Sequence, residues 1–184
     1  MGTLAIKESY AYVGGHDFSG DINTWRIGGE ADTPECTNMR SLGWREYKLA
    51  VKKSMFEMGG HWQSNTADAV DPETFNNLGT ANRVFTAGMA ETEGTPAFFH
   101  RGMQADYTVG GDLGSIAPFR VTANGTDGPT GVVRGQLAVK MTTVTTTGAK
   151  GTALNLGLIG AGQYLYATLH LLGTAGTSIT CQVE

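Results

Sequence analysis

Short alternations of apolar and polar residues, rather than long helical periods, run along this chain of 184 residues. The clearest one places Tyr47, Leu49 and Val51 between polar or small neighbours, which predicts a strand over residues 46–54 with one buried face. β-prone runs also predict strands over residues 4–13, 22–27, 83–89, 96–109, 115–123, 132–144, 163–172 and 178–183.

One short helix is predicted near residues 71–78. Asp71 is a favourable N-cap, and Gly79 is suited to end the last turn. Phe75 and Leu78 are three residues apart, so they would form one apolar face that packs on a sheet. A polar connection over residues 90–95 would join two strands as a hairpin.

These elements predict a mainly β fold, a β-sandwich or partly closed barrel with one short α-helix and long inter-strand loops. The 27 glycines show no collagen-like period and there are only 5 prolines, so glycine indicates turns and bulges. A turn cluster at Asn124-Gly125 and Asp127-Gly128-Pro129 divides the chain. We expect a β core over residues 1–125 and a C-terminal β extension over residues 126–184, packed on the same domain.

Composition argues against several classes of function. The net charge of −4 and the lack of a Lys/Arg cluster beyond Lys52-Lys53 argue against tight binding of duplex DNA. Cys36 and Cys181 lack metal-site spacing, so free thiols in a reducing compartment are expected. The most apolar run, residues 164–172, is too short to span a bilayer and no secretory signal is seen, so a soluble protein without a membrane partner is predicted.

A long polar connection, residues 28–45, follows the early strands and carries a family resemblance. Residues 17–24 read DFSGDINT, residues 35–37 read ECT, and Arg40, Gly43 and Trp44 follow. This pattern resembles the N-terminal region of the major tail tube proteins of long-tailed bacteriophages, over roughly the first 80 residues. A connection of this length inside a compact domain is more often functional than idle.

The resemblance implies a structural virion protein, assembled in the host cytoplasm, whose subunits form hexameric rings that stack into a conduit. DNA would pass through without specific binding, and the partners would be the protein itself and other tail or head-completion proteins. That family stacks its rings through a long loop after the early strands. The candidate ring-stacking residues are therefore Glu30, Asp32, Pro34, Glu35, Thr37, Arg40, Trp44 and Arg45.

Aromatic residues near the N-terminus are candidate subunit contacts, namely Tyr10, Tyr12 and Trp25. The alternative is that the first strand packs its tyrosine rings onto its own core. The Thr-rich C-terminal strands are candidate edges for joining sheets between subunits.

No catalytic, cofactor or metal site is predicted, so we expect no enzyme. Residues 157–162 reverse the dinucleotide-binding glycine spacing, the four histidines are isolated, and Ser19 lies outside a nucleophile motif. Two alternatives stay open: a capsid decoration or head-to-tail joining protein, and a carbohydrate-binding adhesin module. The adhesin would use Trp25, Trp44 and Trp62 beside an exposed loop that carries Glu91 and Glu93.

Overall fold

The fold was obtained as a computed structural model that describes residues 6, 8–66, 69–126 and 131–173. Within these residues the elements are β1 (Tyr10–Val13), β2 (His16–Asp17), β3 (Ile22–Ala31), β4 (Lys52–His61), α1 (Val70–Phe75), β5 (Arg83–Gly88), β6 (Pro96–Val109), β7 (Pro118–Gly125) and β8 (Val132–Gln136). All pairings between the strands are antiparallel. The predicted fold class is confirmed: the protein is mainly β, its sheet is not closed, and the described residues contain one short helix.

The sheet is organised around β6, the longest strand. Its order is β2-β1-β5-β6-β7-β4-β3, and β8 also pairs with β6. The first half of β6 pairs with both β5 and β8, whereas its second half pairs with β7. The predicted hairpin between β5 and β6 is confirmed, with residues 90–95 in its polar connection.

The strand registers place two connections at opposite ends of the sheet. In β3 and β4, Ile22 lies opposite Gly60 and Ala31 lies opposite Lys52, so the connection over residues 32–51 leaves the sheet at one end. At the other end of β4, His61 lies opposite Pro118, the first residue of β7. The connection from β6 to β7, residues 110–117, therefore lies at that second end, which we call the far end.

One face of the curved sheet encloses the main core. Its packing is aromatic in the centre, where the Phe56 and Phe85 rings lie 5.2 Å apart between centroids. The buried members are Ala11, Val13, Phe18, Phe56, Met58, Val70, Phe85, Ala87, Phe119, Val121 and Ala123. A smaller cluster on Tyr10, Tyr12 and Ala97 packs against Leu137.

The predicted helix is present, but it buries a different face. Val70 and Thr74 are buried, whereas Phe75 is 63% and Leu78 is 47% exposed. The helix ends at Phe75, so Leu78 does not lie on it. Gln104 donates a hydrogen bond of 2.6 Å from Nε2 to the Thr74 carbonyl, which holds the Thr74 side of the helix against β6.

The N-terminus of the helix also differs from the prediction. The cap residue is Ala69, without a side-chain cap, and Asp71 lies in the first turn. The Asp71 carboxylate accepts hydrogen bonds from the Trp62 indole (3.1 Å) and the Tyr107 hydroxyl (2.7 Å), so it joins the helix to two strand ends. Burial, followed by this hydrogen bond, raises the pKa of Tyr107. Gly79 was expected to end the helix, but the C-cap is Asn76, and the left-handed φ of 78° at Gly79 instead ends the turn that follows the helix.

Several strand predictions were wrong in their extents. β4 begins at Lys52, and residues 46–51 are exposed, so the expected buried face there does not exist. β8 ends at Gln136, and residues 163–172 form no strand. Asn124-Gly125 ends β7 instead of forming a turn. Residues 127–129 and 178–183 lie outside the described residues. Alternation identifies a backbone that can be extended, but a strand also needs a partner with which to pair.

His100 is a buried titratable group in the sheet. Its Nδ1 lies 3.2 Å from the Ser54 hydroxyl, and its ring lies 5.6 Å from the Phe85 ring. Its Nε2 is buried without a hydrogen-bond partner among the described residues. Burial lowers the pKa of His100 from about 6.5 to about 4.

This shift predicts that acid destabilises the fold. The unfolded chain binds a proton at His100 below pH 6.5, while the folded chain resists it until about pH 4, so stability falls as the pH falls through this window. Between pH 7 and pH 5 we expect a loss of about 2 kcal/mol from this group. Urea unfolding of the parent and of His100→Leu at both pH values measures it. The variant should show a clearly smaller loss, although His170 adds a contribution of the same sign because its pKa is also lowered. Equal losses in the two proteins would contradict the assignment.

Candidate functional site

Residues 32–51 form a projecting hairpin, which we call the hairpin arm. Backbone hydrogen bonds continue beyond the sheet. The N–H groups of Ala50, Lys48 and Cys36 donate to the backbone carbonyls of Asp32 (2.8 Å), Pro34 (3.1 Å) and Glu46 (2.8 Å), respectively. At about 3.3 Å per residue, the paired part extends roughly 20 Å past the end of the sheet. The connection is therefore an ordered two-stranded arm.

Side chains reinforce the arm just below its tip. The Thr37 hydroxyl donates to the Glu35 carboxylate (2.7 Å) and accepts from the Glu46 backbone N–H (3.0 Å). This places Glu35 and Thr37 in a structural role within the arm.

The tip is a tight turn centred on Ser41. The Ser41 N–H donates to the Asn38 carbonyl (3.0 Å), and the Asn38 N–H donates back to the Ser41 hydroxyl (3.1 Å). Leu42 and Gly43 follow with left-handed φ angles of 50° and 81°. Leu42 has to adopt a φ that is unfavourable for a residue with a Cβ, and this directs its side chain away from the turn.

The tip presents apolar side chains between two cations. Leu42 is 88% and Trp44 is 79% exposed, and Met39 is fully exposed. Arg40 and Arg45 are exposed and make no ion pair within the described part of the chain. The apolar side chains at the tip of this hydrogen-bonded arm are not buried by their own chain, and exposed apolar surface of this kind is typical of an interaction site.

The candidate stacking residues divide into two groups. Glu30 lies in β3 and forms an ion pair of 3.1 Å with Lys53, so it belongs to the sheet. The other seven lie on the hairpin arm and are exposed: Asp32, Pro34, Glu35, Thr37, Arg40, Trp44 and Arg45.

The returning side of the arm carries exposed apolar side chains that the sequence pattern did not indicate as a candidate surface. Tyr47, Leu49 and Val51 are 54–71% exposed. Their alternation was the signal for an extended backbone, but it does not tell whether the apolar face meets its own core or another molecule.

Among the candidate subunit contacts, Tyr10 and Tyr12 are buried within the chain, at 1% and 7% exposure. They therefore match the alternative to a subunit contact, in which the first strand packs its tyrosine rings onto the core of its own chain. The Tyr12 hydroxyl donates to Glu91 (2.8 Å), and burial together with this carboxylate raises the pKa of Tyr12. Trp25 packs partly buried against the core and donates from its indole N–H to Ser9.

A second long segment outside the sheet, which we call the C-terminal arm, comprises residues 137–173. It has no strand of its own and exposes a series of large apolar side chains, including a fully exposed Leu158. It is tied to the β5–β6 connection where the Met141 N–H donates to Glu91 (2.9 Å) and the Thr152 hydroxyl donates to Glu93 (2.6 Å). The two carboxylates predicted to face solvent therefore hold this arm.

His170 holds the distal part of the C-terminal arm. Its Nδ1 lies 2.7 Å from the Gly14 carbonyl and its Nε2 lies 2.8 Å from the Thr86 hydroxyl. A carbonyl can only accept, so Nδ1 carries the proton and Nε2 accepts from Thr86. Burial lowers the pKa of His170, which favours this neutral form.

We expect His170→Ala to release this part of the arm. Losing both hydrogen bonds, at about 1 kcal/mol each, should raise the population of the detached arm at least roughly tenfold. Limited chymotrypsin digestion, followed by mass spectrometry of cleavage at Tyr164 and Tyr166, measures the release. Leu158→Ala is the control, since that side chain is exposed and holds nothing. Equal cleavage rates in the two variants would show that His170 does not anchor the arm.

The remaining candidate chemistry is dispersed. The three tryptophans lie on different elements, and among them only Trp44 is largely exposed. Within the described residues no group of three His, Cys, Asp or Glu side chains is placed to hold a metal ion. The same residues contain no helix long and apolar enough to cross a membrane. Residues 157–162 lie on the exposed C-terminal arm, and no helix follows them there.

No protein-family model and no curated protein matches the sequence. Structural comparison finds similar chains in solved structures, among them the following three. A chain in the C6-symmetric tail of an empty gene transfer agent particle shows 15% identity and a TM-score of 0.46, over 64% of this chain and 83% of its own. A chain in the native gene transfer agent virion shows 16% identity and a TM-score of 0.46, over 64% of this chain and 85% of its own. A chain in the sixfold-symmetrised baseplate of the anti-feeding prophage shows 6% identity and a TM-score of 0.48, over 73% of this chain and 97% of its own.

Proposed function

We propose that this protein is a structural virion protein, the self-assembling subunit of a bacteriophage tail tube. Its hexameric rings stack into a conduit through which DNA passes without specific binding. The observation that carries the proposal is the hairpin arm, a hydrogen-bonded extension with an exposed apolar tip at one end of a β-sheet. The sequence pattern over residues 17–44, which resembles tail tube proteins, supports the identity of the assembly.

The energetics favour contact between subunits through this tip. Burying a side chain of the size of Leu or Met contributes about 1.5–3 kcal/mol, and the tip offers Met39, Leu42 and Trp44 together. Hydrogen bonds of the turn around Ser41 order the backbone that carries these side chains before any contact forms, which lowers the entropy cost of binding. We therefore assign ring-to-ring contact to the arm, with Arg40 and Arg45 at its border.

Sheet edges provide the means for joining subunits within a ring. β3 has ten residues and, within the part of the chain that the structure describes, pairs with β4 alone, which leaves one edge of its backbone open there. Such an edge is a template for pairing with another chain, and a closed ring satisfies it without endless growth. On this proposal residues 1–125 supply the ring-forming core, and residues 126–184 form an extension packed on the same domain.

Charge is compatible with a conduit that does not retain DNA. The chain carries a net charge of −4, and a tube with weakly acidic walls repels phosphates. Release of DNA needs this lack of affinity, and neither a cofactor nor an enzymatic step enters the proposal. The virion is the corresponding location, and other tail or head-completion proteins would meet the ends of the tube.

Negative-stain electron microscopy of the purified full chain at high concentration tests the proposal, with mass photometry of diluted samples. Hollow tubes or sixfold rings are expected. A capsid decoration protein would instead give trimers, and a joining protein would give single rings of another symmetry. A persistent monomer would contradict the proposal and direct attention to the adhesin alternative, with a glycan array as the next measurement.

A further inference from the structure

The far end of the sheet carries a second exposed apolar surface. It comprises residues 108–117, the last strand positions of β6 and the connection to β7, and we call it the receiving surface. Leu113 is fully exposed, Ile116 is 71% and Val109 is 50% exposed. A shallow groove beside them is lined by Thr108, Val109, Gly110, Pro118, Phe119 and Arg120.

The receiving surface has a defined backbone. The Ser115 N–H (3.0 Å) and hydroxyl (2.7 Å) both donate to the Asp112 carbonyl, which closes a turn beneath Leu113. The Gly110 N–H donates to Pro118 (3.3 Å), which joins the two sides of the connection at its base. Leu113 and Ile116 therefore project from an ordered turn.

This surface and the tip of the hairpin arm complement each other in polarity and charge. The tip, residues 38–45, contains two arginines and no acidic residue, whereas residues 108–117 contain Asp112 and no basic residue. Arg120, which lines the neighbouring groove, is offset by its ion pair of 2.9 Å with Glu57. Both Asp112 and the two arginines are exposed. Each surface thus combines apolar side chains with a charge of opposite sign, the arrangement by which interfaces select their partners.

The two surfaces cannot meet within one subunit. They lie at opposite ends of the sheet, separated by the ten residues of β4, which is about 30 Å at the rise of a β-strand. The tip also projects away from the sheet, so it points away from the receiving surface. A contact between them must be made by two copies, and it leaves one tip and one receiving surface free for further copies.

We propose that the tip of the hairpin arm of one copy docks on the receiving surface of a second copy. Met39, Leu42 and Trp44 pack against Val109, Leu113 and Ile116. Arg40 and Arg45 lie on the side of Asp112. The inference rests on the self-assembly in the proposed function, and it adds the surface that receives the arm and the head-to-tail polarity of the contact.

Cysteine cross-linking of assembled full-length protein tests this contact. The background carries Cys36→Ser and Cys181→Ser, which removes both natural thiols. Leu42→Cys combined with Leu113→Cys in one chain should give a ladder of dimers, trimers and higher species after mild oxidation, because every copy offers both positions. Chains with either cysteine alone, mixed in equal amounts, should stop at dimers.

The control pair is Leu42→Cys with Leu158→Cys, since Leu158 is also fully exposed but lies on the C-terminal arm. Suppose that Leu42→Cys with Leu158→Cys gives a ladder and Leu42→Cys with Leu113→Cys gives none. This result would overturn the assignment of the receiving surface, while tubes of the background protein would still support the proposed function. A background protein that stays monomeric at high concentration would instead overturn the proposed function, and the docking contact with it.

Charge reversal gives a second test. Asp112→Arg should reduce tube formation at least tenfold at a given protein concentration. In the proposed contact the introduced arginine would lie opposite the two arginines of the tip and repel them. Adding Arg40→Asp and Arg45→Asp should restore it. A loss that the compensating changes do not restore would contradict the pairing, provided that circular dichroism shows both proteins folded.

Discussion

Replacing residues 33–49 with an Asn-Gly turn should abolish tubes and leave the subunit folded. The Ala50 N–H already donates to the Asp32 carbonyl at 2.8 Å, which is the hydrogen bond that a two-residue turn between these residues would close. The remaining register of β3 and β4, from Ile22 to Ala31, is untouched. The thermal midpoint should change by only a few degrees, since the removed residues bury almost nothing in the subunit.

A smaller change should produce most of the same loss. Leu42→Ser with Trp44→Ser keeps the arm but removes its apolar tip. If each side chain contributes about 2 kcal/mol as an interface hot spot, the concentration needed for tubes should rise by roughly a hundredfold or more. Electron microscopy over a dilution series, with sedimentation of the tubes, measures this.

The control is Leu156→Ser with Leu158→Ser, which removes two exposed apolar side chains from the C-terminal arm. It should leave the threshold concentration nearly unchanged. Tubes that form normally from the tip variant, or an equal loss in the control, would show that the arm does not carry the ring-to-ring contact.

Gly60→Ala should destabilise the fold severely. A Cβ at Gly60 would lie 2.1 Å from the Asp21 carbonyl oxygen and 2.6 Å from the Ile22 Cα, both of them backbone atoms. Ile22 is the first residue of β3 and lies opposite Gly60, and Asp21 directly precedes it, so the two strands would have to separate. We expect a loss of about 3 kcal/mol and a fall of about 10 °C in the thermal midpoint.

Gly28→Ala is the matched control, because Gly28 lies in the same strand pair. A Cβ at Gly28 meets nothing within 4 Å, and its φ is not left-handed. The substitution should be neutral or stabilise by up to about 1 kcal/mol, because alanine reduces the entropy of the unfolded chain. Differential scanning calorimetry at concentrations below assembly compares the two. Similar midpoints for both variants would mean that the close approach at Gly60 is absent in solution.

The sequence by itself determined the features that depend on neighbouring residues. Chain-local turn chemistry and β-prone composition located the β5–β6 hairpin with its connection over residues 90–95. Proline at position 72 favours a first helical turn, and the short helix of the described residues, Val70–Phe75, lies within a few positions of the predicted one. The mainly β class follows from the sum of such local preferences.

Only the tertiary structure decided which extended segments pair and which apolar side chains are buried. Tyr47, Leu49 and Val51 alternate like a half-buried strand, yet they line an arm that extends beyond the sheet. Residues 163–172 are as apolar as a core strand, but His170 attaches them to the sheet through a side chain and no strand forms. The face that the helix buries is likewise a long-range effect, because Gln104, 30 residues away in sequence, donates a hydrogen bond to the Thr74 carbonyl and holds that side against β6.

The position of the receiving surface also could not be predicted from the sequence. Val109, Leu113 and Ile116 are unremarkable in the sequence, because nothing there indicates that their connection lies at the end of the sheet opposite residues 32–51. That placement follows from the register of β3, β4, β7 and β6, which is a property of long-range backbone pairing. The sequence predicted a long connection over residues 28–45, strand pairing moved its bounds to residues 32–51, and the same pairing decided what lies opposite it.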